Sequence, residues 1–203
     1  MRARRIPLTP ATHKAVVTLA AEIILAGDVI VYPTDTIYGI GGDATRETAV
    51  MKVYSVKRRE KGKPLLVLAD SISMVRQYAA EISSEELLRR YWPGPVTFIV
   101  KENGSFPSAL TGGSGTIGFR IPDHKFCLDV IGMIERPLIS TSANLSGAEG
   151  GNDIEEIVRE FSDSVALIVD AGNGKNILPS TVVDITGNAP RVVRQGTISI
   201  DIE

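Results

Sequence analysis

Apolar and polar positions along the chain follow the patterns of alternating helices and short strands. A first helix is predicted between Thr9-Pro10 and Gly27, with apolar residues at helical spacing: Val16, Leu19, Ala20, Ile23 and Ile24. Short apolar runs bounded by Gly, Pro or Ser predict about seven strands, for example at residues 28–32, 64–69 and 96–101. This alternation is typical of an α/β protein.

Five or six helices, including the first one, are predicted from helical spacing and cap signals. Their ranges are 45–57, 71–78, 83–91 and 123–134, and one more begins after residue 152. Capping boxes are expected at Ser83-x-x-Glu86 and Asn152-x-x-Glu155. No repeat or linker divides the sequence. We therefore interpret residues 1–203 as a single domain, an open, twisted mixed β-sheet with flanking helices.

Hydroxyl residues and glycines gather in four loops next to predicted strands. These loops cover residues 33–39, 111–116, 140–147 and 179–184. In α/β sheets such loops meet at one edge, where their hydroxyls and backbone N–H groups can hold phosphate or carboxylate. Each loop alone is also explained by turns and helix caps. The four together indicate a ligand site.

Basic residues are concentrated although the net charge is only −2. Residues 46–63 hold seven basic and two acidic residues, a local charge of +5, whereas residues 150–170 hold six acids and one base. The segment KRREKGKP (57–64) carries five of these cations and could bind a polyphosphate or form a solvated surface. The small net charge argues against a protein that depends on bulk attraction to nucleic acid.

Two arginines lie in otherwise apolar strands, and the chain lacks an obvious nucleophile. Arg120 and Arg194 each need an anionic partner, either a ligand or an Asp side chain. His13 and His124 are predicted to lie at the surface, and Cys127 in the core. A site rich in cations, hydroxyls and amides favours reactions that proceed by positioning and charge stabilisation, such as nucleotidyl transfer.

Several classes of protein are excluded by what the sequence lacks. It contains neither GxxxxGK[ST] nor GxGxxG. A single cysteine excludes an intrachain disulfide and a cysteine zinc cluster, and we predict no metal site formed by protein side chains. No apolar run reaches the ~18 residues of a membrane span. We therefore expect a cytoplasmic protein without membrane contact.

Seven motifs in fixed order carry a resemblance to a known family: PTDTIYGIG, VKRREKGKPLLVL, WPGPVTFIV, GFRIPDH, PLISTSANLSG, PSTVVD and RVVRQG. From Val29 to Gly196 the chain resembles the YrdC-like family of L-threonylcarbamoyladenylate synthases. The resemblance implies a nucleotidyltransferase that makes threonylcarbamoyl-AMP and pyrophosphate from L-threonine, bicarbonate or CO2, and ATP. The product serves the threonylcarbamoyl-adenosine modification of tRNA through a downstream transferase complex.

The resemblance also implies roles for individual residues. Lys57 and Arg59 would bind the ATP phosphates and stabilise the charge that develops on the leaving pyrophosphate. The rest of the nucleotide falls to Thr116, Ser142, Asn144 and Arg194. The threonine falls to Thr34, Arg120, Ser140 and Ser180. Mg2+ is expected to arrive with ATP.

Three features depart from the family pattern. Glu60 stands where relatives often have proline after the K-x-R motif, so the loop around Arg59 could differ in shape. Leu68 stands where many relatives have histidine, which removes one threonine contact. The sequence ends at Glu203, so we expect the short form of the family, without the C-terminal domain of longer members.

Two other functions stay open at this point. A non-enzymatic module could bind RNA, including double-stranded RNA, through a basic concave face, and even the enzyme could contact RNA directly. Against this, aromatics make up only 5% of the residues, and single-strand binders usually stack bases on aromatic rings. Carbamoyl transfer, as in hydrogenase maturation proteins with a similar domain, would require longer chains with zinc-finger parts.

Overall fold

The sheet is the frame on which the rest of the protein is built. A computed structural model describes residues 2–60, 62–145, 152–174 and 178–201. Within these residues eleven strands belong to one mixed sheet. The strands are β1 (Arg4–Pro7), β2 (Ile30–Tyr32), β3 (Gly39–Gly41), β4 (Leu66–Leu68), β5 (Ala79–Glu81), β6 (Val96–Glu102), β7 (Thr116–Arg120), β8 (Leu138–Ser142), β9 (Leu167–Asp170), β10 (Thr181–Asp184) and β11 (Arg191–Arg194).

Seven helices connect these strands in the described part of the chain. They are α1 (His13–Leu25), α2 (Glu47–Val56), α3 (Ile72–Tyr78), α4 (Glu85–Tyr91), α5 (Ser108–Thr111), α6 (Lys125–Ile134) and α7 (Ile154–Phe161). Helices α1 and α6 pack on each other, and both bury a row of aliphatic residues. The core is aliphatic with a few aromatic rings, as the composition predicts.

The strand order is β1-β9-β2-β3-β8-β4-β7-β6-β10-β11, with β5 paired to β6 at one side. Strand pairs β1–β9, β2–β9, β4–β7 and β6–β10 are parallel, and the other pairs are antiparallel. The two edges are β1 and β11, so the sheet is open. The predicted fold class, an α/β protein with an open, twisted mixed sheet and flanking helices, is confirmed.

The structure has more strands than the sequence predicts. Strands β1, β3 and β5 and helix α5 were not predicted. Two helix caps lie one residue after the predicted ones. Ser84 caps α4, because the hydroxyl of Ser83 instead donates to the carbonyl of Ile185. Asp153 caps α7, where the sequence favours Asn152.

Strand β3 depends on a close backbone approach that only glycine permits. A Cβ atom at Gly41 would lie 1.6 Å from the carbonyl oxygen of Ile139, far inside contact distance. Gly39, two residues earlier, faces the ring of Tyr32, and a Cβ atom there would lie 3.0 Å from the nearest ring atom. These glycines give the segment the composition of a loop, although it is paired on both sides, with β2 and β8.

Replacing Gly41 by alanine should therefore destabilise the fold. We expect Gly41→Ala to lower the free energy of unfolding by at least about 2 kcal/mol, because the strands must separate. Gly187→Ala is the matched control, since no atom lies within 4 Å of a Cβ there. Urea unfolding of both variants measures the difference. Equal stability of the two variants would contradict this account of β3.

Candidate active site

A cavity of about 980 Å3 lies over one face of the central strands. Its floor consists of residues that are paired in register on adjacent strands: Leu66 with Ser140, Ile99 with Gly118, and Thr97 with Val182. Alternation along β7 then places Arg120 on the same face as Gly118. A Cβ at Gly118 would meet Thr97 at 3.1 Å and Leu66 at 3.4 Å, so this glycine keeps the floor flat.

Five chain segments form the walls of the cavity. They are the loop from Thr34 to Gly39, Arg59 with residues 64–65, the end of β8 with Asn144, the start of α7 with Asn152, Asp153 and Glu156, and residues 178–180 with Arg194. Of the four hydroxyl- and glycine-rich loops that the sequence predicts to meet, three do so here. The loop at residues 111–116 does not contribute to the lining.

Eight of the ten predicted site residues line this cavity. They are Thr34, Arg59, Arg120, Ser140, Ser142, Asn144, Ser180 and Arg194. The other two, Lys57 and Thr116, lie outside the lining. The structure thus collects most of the set in one place, although the role of each residue stays a prediction.

Thr116 lies at the start of β7, two residues before Gly118. Its hydroxyl is 3.0 Å from the hydroxyl of Ser114 within the same loop. Strand alternation puts Thr116 on the cavity face of the sheet, yet beyond the edge of the cavity. The structure gives the predicted nucleotide contact of Thr116 no support.

Lys57 forms hydrogen bonds that hold the end of β8 and the loop after it. Its side chain is buried, and its Nζ donates to the carbonyl and the hydroxyl of Ser142 and to Oδ1 of Asn144. Those three acceptors match the three N–H groups of an ammonium. Burial, and secondarily the charge of Arg59, lower the pKa of Lys57 to about 8. The residue therefore holds two cavity-lining residues in place and does not reach into the cavity itself.

Among the described cations of the basic segment 57–64, Arg59 is the one that lines the cavity. Its Nη2 donates to the carbonyl of Pro64 at 3.2 Å, and its Nε is buried without a hydrogen-bond partner among the described residues. A buried N–H group without a partner is costly, so an anion in the cavity would be stabilising. The neighbouring Arg58 is exposed and has a positive φ of 49°.

Arg120 is held by protein groups on several sides. Nε donates to the carbonyl of Gly94 at 3.2 Å, Nη1 to the hydroxyl of Thr36 at 2.9 Å, and Nη2 to the carboxylate of Asp35. The ion pair with an aspartate, one of the two partners considered from sequence, is therefore present. Because Arg120 also lines the cavity, the ion pair does not exclude a ligand contact.

Arg194 lies near Arg120 at the same side of the cavity. It donates to the carbonyl of Ser180 at 2.9 Å, and the hydroxyl of Ser180 lies 2.8 Å from that of Thr97. Burial and the charge of Arg120 lower the pKa of Arg194. Because the charge of Arg120 disfavours the charge of Arg194, an anion close to Arg194 would be stabilising.

Several residues around the cavity were not predicted from sequence. Thr36 and Tyr38 lie in the predicted loop 33–39, where only Thr34 was selected. The hydroxyl of Tyr38 donates to the carbonyl of Gly172 and so ties this loop to the end of β9. Asp153 and Glu156 add carboxylates at the start of α7. The cap signal before α7 was visible, but nothing local indicated that this helix end faces the cavity.

The histidines and the cysteine are only partly as predicted. Cys127 is buried, as predicted, and burial raises the pKa of its thiol, which argues against a nucleophile. The predicted surface position is wrong for both histidines, which are half-buried. His13 is 2.6 Å from the carboxylate of Asp129, and burial lowers the pKa of His124.

The described residues provide neither a metal site nor a membrane span. No group of three or more His, Cys, Asp or Glu side chains among them is arranged to hold a metal ion. None of the seven helices in this part of the chain has the length and apolar character that crossing a membrane needs.

Comparisons with known proteins show the family to which this chain belongs. Residues 22–196 match the family model Sua5/YciO/YrdC, described as telomere recombination, and the chain belongs to this family. It is 32% identical to the threonylcarbamoyl-AMP synthase of Pyrococcus abyssi, over 91% of this chain and 55% of that protein. The chain thus spans about half the length of this relative.

Solved structures agree with this membership. The structure of P. abyssi Sua5 in complex with L-threonine has a TM-score of 0.88 and 31% identity, over 97% of this chain and 58% of that one. The structure of Escherichia coli YciO has a TM-score of 0.86 and 28% identity, over 96% of both chains. The fold is therefore shared with longer and with equally short proteins.

The buried position of Lys57 leads to a pH-dependent prediction. Its pKa of about 8 in the folded state lies below the 10.5 of an ordinary lysine. Between these values the unfolded chain binds more protons, so this residue's contribution to stability rises with pH. We therefore expect the unfolding free energy of wild type to rise by about 2 kcal/mol relative to that of Lys57→Met between about pH 7.5 and about pH 10.

Urea unfolding of both proteins across this pH range measures the shift. Lys52→Met is the matched control, because Lys52 is a half-exposed lysine on α2 that pairs with Asp28. A difference for Lys57→Met that stays constant with pH would mean that the three oxygen acceptors keep the ammonium charged, and the lowered pKa would be wrong.

Proposed function

We propose that this protein is an L-threonylcarbamoyladenylate synthase, a nucleotidyltransferase that uses L-threonine, bicarbonate or CO2, and ATP. The observation that carries the proposal is a single cavity lined by three arginines and several hydroxyls, with a buried Arg59 N–H group that has no partner in the described residues. A relative with the name of this activity and a relative bound to L-threonine support it.

The chemistry can be written with the substrates supplying every reacting atom. The amino group of threonine attacks the carbon of CO2, forms an N–C bond and loses a proton, giving a carbamate. A carbamate oxygen then attacks the α-phosphorus of ATP, and the bond to the β-phosphate breaks, so pyrophosphate leaves. No protein nucleophile is needed, which fits the buried Cys127.

Each arginine is assigned a role from its contacts and its position in the cavity. Arg59, with its partnerless Nε, would stabilise the charge that develops on the leaving pyrophosphate. Arg120 is a planar donor suited to the threonine carboxylate, and Arg194 with Ser142 and Asn144 would contact the nucleotide. Thr34, Ser140 and Ser180 supply hydroxyls near the amino acid. We assign Lys57 the indirect role of holding Ser142 and Asn144.

Magnesium belongs to the nucleotide in this proposal. The described residues hold no cluster of three or more His, Cys, Asp or Glu side chains, and Mg2+ in nucleotide sites is usually held by one or two carboxylates together with the substrate phosphates. The ion would enter as part of the substrate, coordinated by the triphosphate. We further propose that the adenylate passes to a tRNA-modifying transferase complex in the cytoplasm.

The structure favours this enzyme over an RNA-binding module. An RNA surface would present the basic segment to solvent, yet Lys57 is buried and Arg59 lines a cavity. Among the other cations of the segment, Lys63 forms an ion pair with Glu60 at 2.8 Å, and Arg58 is exposed. Of the segment's described cations, Arg58 and Lys63 remain available for a direct RNA contact by the enzyme.

The first test is the dependence of pyrophosphate release on amino acid. We expect release that requires L-threonine and bicarbonate together, because the carbamate is the attacking group. A coupled pyrophosphate assay, with the adenylate identified by mass spectrometry, measures it. L-serine and L-valine are the matched controls, since each lacks one part of the threonine side chain. Release that ignores threonine would indicate a plain ATPase and contradict the proposal.

The second test compares two adjacent arginines. Arg59→Ala should lower kcat/KM at least about 30-fold, or about 2 kcal/mol, because a charge-assisted donor to the leaving group is lost. Arg58→Ala is the matched control and should stay near wild type, since its side chain is exposed and is not part of the cavity lining. Similar small losses in both variants, together with weaker RNA binding in both, would favour the RNA-binding module instead.

A further inference from the structure

Asp35, the central residue of the loop 33–38, has no assigned role so far. We propose that it is a positioning residue: its carboxylate fixes the guanidinium of Arg120 so that two N–H groups are presented to the carboxylate of the amino-acid substrate. The inference rests on the proposed function, because it concerns how Arg120 receives threonine.

The hydrogen bonds of Arg120 leave a defined pair of donors. A guanidinium has five N–H groups, and those used by protein are one each on Nε, Nη1 and Nη2, to Gly94, Thr36 and Asp35. Within the described residues this leaves one N–H on Nη1 and one on Nη2. Two N–H groups on neighbouring nitrogens of one planar group can donate to the two oxygens of a carboxylate.

Asp35 contacts the guanidinium of Arg120 from outside the cavity lining. Thr34 and Thr36 line the cavity, whereas Asp35 between them does not, and its carboxylate is largely buried. Its Oδ2 atom is buried without a hydrogen-bond partner among the described residues. The ion pair with Arg120 is therefore the interaction that stabilises this buried charge, and the two residues hold each other in place.

The three partners of Arg120 come from two separate segments, which restrains its orientation. Gly94 precedes β6, Asp35 and Thr36 follow β2, and Arg120 itself ends β7. The backbone N–H of Gly94 donates to the carbonyl of Ile121, so the segment that accepts from Arg120 is also tied to the residue after it. Without Asp35, Nη2 of Arg120 would lose its protein partner. The guanidinium would then be held by one hydrogen bond from Nε and one from Nη1.

The test is the split between the two Michaelis constants in Asp35→Asn. We expect KM for threonine to rise about 10-fold, because a misplaced binding group weakens the productive pose. KM for ATP should stay unchanged. Arg120→Lys should give a similar rise, and the double variant should be no worse than the worse single one, since both changes remove the same interaction. Fully additive effects would overturn the proposal.

Asp43→Asn is the matched control for losing a buried ion pair. Asp43 is fully buried, accepts from Arg136 at 2.7 Å and does not line the cavity. It should lose stability without any change in KM for threonine. If Asp35→Asn behaves like Asp43→Asn, with a lower unfolding midpoint and a normal KM, Asp35 is only structural and the proposal fails.

A milder variant keeps the test decisive if Asp35→Asn does not fold. Thr36→Val removes the hydrogen bond to Nη1 of Arg120 and preserves the side-chain shape. A several-fold rise in KM for threonine alone would support the positioning of Arg120, and no change would overturn it. A wild-type protein without threonine-dependent release would overturn the proposed function itself, whereas an active wild type with an insensitive Asp35→Asn overturns only this inference.

Discussion

Buried positive charge is the constraint around which the cavity is organised. Lys57 and Arg120 are almost fully removed from solvent, and Arg194, although exposed, lines the same cavity. A charge in such a place must be stabilised by nearby oxygens, and each of the three donates to a backbone carbonyl: those of Ser142, Gly94 and Ser180. The loops that carry these carbonyls are therefore held at fixed positions around the cavity by the cations themselves.

The sheet determines which residues these cations meet. Strands β4, β7, β6 and β10 are adjacent, so the end of β7 with Arg120 lies between segments that are distant in sequence. Leu68 pairs in register with Arg120 and is fully buried. It occupies the position where many relatives have histidine, so in the proposed function the arginine and the hydroxyls would have to recognise the amino acid without that side chain.

Much of the fold was predictable because it follows from local pattern, and the errors have physical causes. Helical spacing and apolar runs predicted the longer helices and most of the strands, and hydroxyl-rich loops indicated the walls of the cavity. Strand β3 was missed because Gly39 and Gly41 make it resemble a loop, whereas the glycines serve a close approach to Tyr32 and Ile139. Strand β1 was missed because it is an edge strand rich in arginine.

The site was less predictable than the fold, because side-chain direction depends on distant partners. From sequence, Lys57 and Arg59 are equivalent cations two residues apart. Helix α2 ends at Val56, and Arg58 adopts a positive φ, so the chain turns between the two side chains. Lys57 then points under the loop after β8, while Arg59 reaches the cavity wall. One basic motif thus yields a loop support and a cavity-lining cation, a distinction that only the folded chain contains.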